Sequence, residues 1–249
     1  MESLPNKRTQ LFNSHVTLGA RILEFGGWDM PIQYSGILSE TTAVRNHCGI
    51  FDVSHMGRVY ITGKNASSLL NMLVTSPVLN MQDQQARYGL ICNGNGGVID
   101  DTIYYKLSEQ EYLIIPNAGN RDAVISWMNA TNSNFFDNSV VITDQTSETS
   151  MFAIQGPLAE SILQQLINLT DSKTLADLKF FRSSPCEIDG TSVFLGRTGY
   201  TGEDGFEIIV ANFYAEELWN KCLASGIIPC GLGARDVLRL EAALPLYGH

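Results

Sequence analysis

Residues 87–105 read RYGLICNGNGGVIDDTIYY, two apolar runs separated by asparagine and glycine. Asn and Gly tolerate positive φ, so NGNGG at 93–97 predicts a hairpin turn with paired strands on either side. Side chains on a strand alternate between faces. In the second strand Val98, Asp100, Thr102 and Tyr104 share one face, and Ile99, Asp101, Ile103 and Tyr105 share the other. Asp101 therefore falls on the more apolar side, where a carboxylate must be paired, protonated or facing a ligand. An aspartate beside a hairpin is also ordinary turn chemistry, so the pattern alone leaves both readings open.

Outward from this hairpin the chain reads as α+β. Short β-branched or aromatic runs predict strands at 58–62, 87–92, 98–106, 111–116, 140–143, 151–155, 191–195 and 205–210. Helices are expected at 40–47, 66–73, 121–129, 157–167, 215–224 and 234–244, with Pro157 suited to a first turn. Residues 58–132 read strand-helix-strand-strand-strand-helix, a sheet covered by helices on one side. A second such unit begins near Val140, which divides the chain into 1–139 and 140–249, with interleaving of the two left open.

Composition narrows the class of function. The chain has 249 residues, 44% hydrophobic and 17% charged, enough for a substantial core. A net charge of -10 and the lack of any Lys/Arg cluster argue against a nucleic-acid partner. The five cysteines are scattered with no CxxC pair, which suggests reduced thiols and neither a disulfide framework nor a zinc site. No apolar leader or membrane-length run is visible, so a cytoplasmic protein is expected.

Three further segments could carry chemistry. RTGYTGEDGFE at 197–207 predicts a tightly shaped loop feeding a strand, but neither a P-loop nor a dinucleotide fingerprint. Glu207 shares a face with Ile209, and a carboxylate there can accept two parallel N–H bonds from an aminopyrimidine-type edge. A plain glycine-rich hairpin explains the same residues. GLGARDVLRLEA at 231–242 opens a helix with Arg235 and Arg239 one turn apart. Arg235 in the first turn is poorly placed for the helix dipole and calls for a negative neighbour. Asp236 or Glu241 could satisfy one of the two arginines. His55, in CGIFDVSHMGR at 48–58, has no nucleophile or second histidine at catalytic or metal spacing and reads as structural.

Taken together and in order, FGGWDMP (25–31), CGIFDVSHMG (48–57), NGNGGVIDD (93–101), FAIQGP (152–157), RTGYTGEDGFE (197–207) and GLGARDVLRLEAALPLYG (231–248) resemble the successive signatures of the glycine cleavage T-protein family. The resemblance implies a tetrahydrofolate-dependent aminomethyltransferase. Such an enzyme moves the methylene carbon of an aminomethyl group, carried on the lipoyl arm of the H-protein, to tetrahydrofolate and releases ammonia. It implies Asp101 as the catalytic carboxylate, orienting the folate and handling a proton. Glu207 and Arg235 match the family's folate-contacting acid and arginine, and Tyr88, Tyr105, Tyr200 and Met56 match residues near the folate. No metal or nicotinamide is implied.

The resemblance also implies two antiparallel α+β units followed by a C-terminal β-barrel that this sequence stops short of. The chain alone would then bind folate weakly and turn over poorly. A folate-dependent demethylase on the same scaffold is the alternative enzyme. A folate-binding protein without turnover is the alternative of another class.

Overall fold

The computed structural model describes residues 5–169 and 174–248. The chain divides into two compact units. One comprises residues 56–147, with 181–183 and 246–249; the other comprises 1–55, 148–180 and 184–245.

The hairpin lies in the first of these. Strands Gln85–Cys92 and Val98–Ser108 pair antiparallel, with Leu90 opposite Asp101 and Ile91 opposite Asp100. In the connecting turn the Asn93 side-chain carbonyl accepts the N–H groups of Asn95 and Gly97, both at 2.9 Å. The hairpin occupies one side of a five-stranded antiparallel sheet, followed in order by Glu111–Ile115, Val59–Thr62 and Val141–Asp144. Helices Ala66–Leu73 and Arg121–Phe136 pack on it. Ala66, Leu69, Leu70 and Leu73 recur at the helical period, and all four are buried together with Val59, Ile61, Ile114, Val124 and Met128. The expected order of strands and helices in this stretch is the observed one.

The other unit centres on three consecutive strands of a seven-stranded sheet: Gly205–Ala211, Thr149–Gln155 and Gly49–Asp52. Nearly every residue of the three is buried, so they read as continuous apolar runs rather than alternating ones. Helix Asn212–Ala224 packs Ala215, Leu218, Trp219 and Cys222 into their core. Strands Arg21–Phe25 and Trp28–Gln33, with Lys7–Arg8, form a separate three-stranded sheet.

Several expectations change here. The units interleave, because residues 49–52 pair with 149–155 rather than with their sequence neighbours, so the chain does not divide at 139/140. GIFD at 49–52 is too short and too apolar to show a period. The expected helix at 157–167 is only Ala159–Leu163, so Pro157 precedes its first turn. The strands of the first 36 residues and Ser183–Ile188 are additions to the expected set.

A buried polar network ties the amino-terminal segment to the central strands. Asp52 accepts the Ser54 N–H at 2.9 Å and lies 2.9 Å from His15 Nε2, while Tyr34 Oη lies 2.9 Å from His15 Nδ1. Burial alone would raise the Asp52 carboxyl, but the His15 hydrogen bond and charge and the Ser54 bonds outweigh it and hold the group at about 2. A depressed folded-state value stabilises the fold above the ordinary 3.8, and that stability is lost as pH falls through about 2. Asp52→Asn is therefore expected to cost about 2 kcal/mol at neutral pH. Thermal melts of the two proteins should stay separated above about pH 3.8, draw together as the pH falls from there and meet near pH 2; a gap independent of pH would contradict this account.

Candidate functional site

The two adjacent aspartates of the hairpin have separate environments, and they reverse the expectation from alternation. Asp100, not Asp101, occupies the buried face, with Thr102 and Tyr104. It is satisfied by three donors: Asn117 N at 2.9 Å, Asn117 Nδ2 at 2.8 Å and Asn120 Nδ2 at 2.7 Å. Burial pushes its carboxyl up, opposed by those hydrogen bonds. Asp100 therefore fastens the hairpin to the start of helix Arg121–Phe136. Ile99 and Ile103 make the other face look like the covered one, because a sheet covered on one side keeps its partly open face apolar too.

Asp101 lies on that partly open face. It accepts the Tyr88 hydroxyl at 3.0 Å and, more weakly, Asn117 Nδ2 at 3.2 Å; the same nitrogen holds the Asp101 backbone carbonyl at 2.9 Å. Tyr88 is 42% exposed. Its carboxylate is thus left partly open while a phenol and an amide fix its orientation. Tyr105 is fully buried, so its ring offers no open surface. Met56 is half-buried, and its backbone carbonyl is held by the guanidinium of Arg58, which also reaches the Thr146 carbonyl.

Glu207, Arg235 and Tyr200 lie together in the other unit. Glu207 is buried in strand Gly205–Ala211 and accepts the Thr198 hydroxyl at 2.6 Å through Oε2. Arg235 lies in the first turn of helix Leu232–Glu241, its guanidinium 4.8 Å from the centre of the Tyr200 ring. The Tyr200 hydroxyl donates to the Pro245 carbonyl. The rival carboxylates are engaged elsewhere: Asp236 takes Arg239 at 2.9 Å and Glu241 takes Arg45 at 2.7 Å. Arg235 Nη1 is buried without a hydrogen-bond partner among the described residues. Burial pushes this guanidinium below its ordinary value, against the pull of Glu207 and Tyr200.

The helix that carries Arg235 is fixed at the residue before its first turn, Gly231. Glu40, with no exposed surface, accepts Tyr34 N at 2.6 Å, Ser35 N at 2.8 Å and Gly36 N at 3.0 Å through Oε1. Its Oε2 accepts Gly231 N at 2.8 Å. A Cβ on Gly231 would lie 2.2 Å from the Ile32 carbonyl, so only glycine allows this approach. His55 is buried edge-on to Phe25, a packing arrangement. Among the described residues no group of three or more His, Cys, Asp or Glu is arranged to hold a metal.

Sequence reasoning missed the partners that aim these groups: Thr198, Asn117, Asn120 and Glu40. The PNAGN run at 116–120 carried a signal, since two asparagines after a strand can bond local backbone or side chains.

Residues 11–249 match the family described as the GCVT N-terminal domain. The chain belongs to this family. It is 46% identical to an aminomethyltransferase of Halalkalibacterium halodurans and 42% identical to one of Desulfitobacterium hafniense, over 98% of its own length in each case. The chain spans 66% of the length of each of these relatives. The crystal structure of the glycine cleavage system aminomethyltransferase T from Bartonella henselae superposes with a TM-score of 0.86 at 33% identity, covering 96% of this chain and 63% of that one.

The two aspartates should separate by experiment. Asp100→Ala strands three donors and should lower stability by about 3 kcal/mol, whereas Asp101→Asn should change it by less than about 1 kcal/mol. Denaturant melts of both variants decide this, and equal losses would mean that Asp101 is as structural as its neighbour.

Proposed function

We propose that this chain carries the folate-binding and catalytic residues of a tetrahydrofolate-dependent aminomethyltransferase. In this reading the methylene carbon passes from an aminomethyl group on the lipoyl arm of the H-protein to tetrahydrofolate. Ammonia and the reduced lipoyl arm are the other products. The observation that carries the reading is Arg235 Nη1, buried near Glu207 and without a hydrogen-bond partner among the described residues. A buried guanidinium N–H without an acceptor costs about 1–3 kcal/mol, which a ligand acceptor would recover. Glu207 keeps one oxygen on Thr198 and can present the other as an acceptor. A donor and an acceptor held in a dry setting fit the edge of a pterin ring, which presents both. The family match and the relatives' shared name support the same reaction class.

The folate supplies the nitrogens that take up the carbon. Glu207 and Arg235 bind and orient, and Tyr200 covers the guanidinium with its ring. Asp101, aimed by Tyr88 and Asn117, orients the folate and holds or passes a proton as ammonia leaves. Met56 and Tyr105 are assigned to the surroundings of the folate, Tyr105 as buried support for the face that bears Asp101. The H-protein is the partner, and a reducing cytoplasm suits five free thiols. Among the described residues no helix is long and apolar enough to cross a membrane.

Titration calorimetry of tetrahydrofolate into the chain and its Asp101→Asn variant, with an H-protein turnover assay, tests the reading. Both proteins should bind folate within a few-fold of each other, and the variant should lose at least about a hundredfold in the release of ammonia and methylenetetrahydrofolate. An absence of folate binding would remove the proposal. Turnover with a free methylated amine and not with the H-protein would replace it with a demethylase.

A further inference from the structure

The loop at 197–204 brings Thr198 to Glu207 and Tyr200 to Arg235, yet no regular secondary structure holds it. Arg45 Nη1 donates to the Thr201 carbonyl at 2.6 Å and to Glu203 Oε1 at 2.8 Å, and Gly156 N donates to the Asp204 carbonyl at 2.8 Å. One side chain of the neighbouring strand reaches Thr198 and Thr201 together. Gln155, the last residue of Thr149–Gln155, has no exposed surface. Its Nε2 donates to the Thr198 carbonyl at 3.1 Å and to the Ile154 carbonyl at 3.2 Å. Its Oε1 accepts the Thr201 hydroxyl at 2.8 Å, and Thr201 Oγ1 in turn accepts Glu203 N at 3.2 Å. The partners fix which end of the amide is which: the Thr198 and Ile154 carbonyls can only accept and so face Nε2, which leaves Oε1 to accept the Thr201 hydroxyl.

The same carboxamide explains two glycines of the GYTGEDG run. A Cβ on Gly199 would lie 1.9 Å from Gln155 Oε1, and one on Gly205 would lie 2.4 Å from Gln155 Nε2. Neither glycine has a positive φ, so the backbone itself would accept another residue. At Gly199 the glutamine excludes a side chain, and at Gly205 it does so together with the Ile154 carbonyl, also 2.4 Å from the added Cβ.

We propose that Gln155 is a positioning residue: it sets the 197–204 loop so that Thr198 aims Glu207 and Tyr200 covers Arg235, and thereby it sets tetrahydrofolate affinity. This rests on the folate reading above. The effect on Glu207 runs through Thr198, whose carbonyl Gln155 holds, and the effect on Tyr200 runs through Thr201, its neighbour in the loop.

Gln155→Met keeps the length and roughly the volume while removing both polar ends. Thr201→Val removes the hydroxyl's bond to Gln155, and with it the one from Glu203 N, and serves as the second variant should the first not fold. Each is melted and then titrated with tetrahydrofolate at a temperature where it is folded. Gln155→Met is expected to weaken folate binding about tenfold, and Thr201→Val by about threefold, on the scale of single lost hydrogen bonds. A lowered melting temperature with the folate Kd within about twofold of the unmutated chain, in whichever variant folds, overturns the proposal and leaves Gln155 a packing residue. If the unmutated chain does not bind folate, the folate reading fails first and this inference falls with it.

Discussion

A carboxylate with no exposed surface must have its oxygens filled, and Glu40 fills both with backbone N–H groups drawn from two distant parts of the chain. Three come from residues 34–36, where helix Ile37–Asn46 begins, and one from Gly231, the residue before helix Leu232–Glu241. A single buried charge thus sets the starting points of two helices, and the negative end suits both helix N-termini. The placement of Arg235 follows from it. Without Glu40 the first turn that bears Arg235 would lose the bond that draws it against the Ile32 backbone.

The contrast between Asp100 and Asp101 shows how a site can be built from two chemically identical neighbours. Strand alternation sends one inward to three amide donors and leaves the other half-open with a tyrosine and one asparagine amide. Asn117 serves both, which ties the geometry of the outer carboxylate to the satisfaction of the inner one. Asp236 and Glu241 are engaged by Arg239 and Arg45, and Arg235 Nη1 stays unclaimed among the described residues.

Much of this could be read from residue order. The NGNGG turn, the apolar helix at 66–73 and the strand leading from Gly205 all carry strong local signals. What could not be read is long-range. GIFD at 49–52 has no period to betray which strand it joins, and its pairing with Thr149–Gln155 decides the division into units. The amino-terminal strands are short and mixed in polarity, so neither alternation nor helical spacing marks them. Alternation correctly separated the two aspartates onto opposite faces but misjudged which face is covered, because covering is a tertiary property. The partners of the site residues lay hidden for a similar reason: Glu40 meets Gly231 across 191 positions.

The interleaved arrangement has a consequence for the order of events on the ribosome. Residues 56–147 form most of one unit without interruption, so its sheet has nearly all its strands once that stretch has emerged. The surrounding unit has no such advantage. Ser54 meets Met151 only 97 positions later, and the Gly205–Ala211 strand, on the other side of Thr149–Gln155, comes later still. Closing such wide loops precedes any contact that rewards it. During synthesis the Gly49–Asp52 strand must therefore wait uncovered for Thr149–Gln155, while the inserted unit matures ahead of its host.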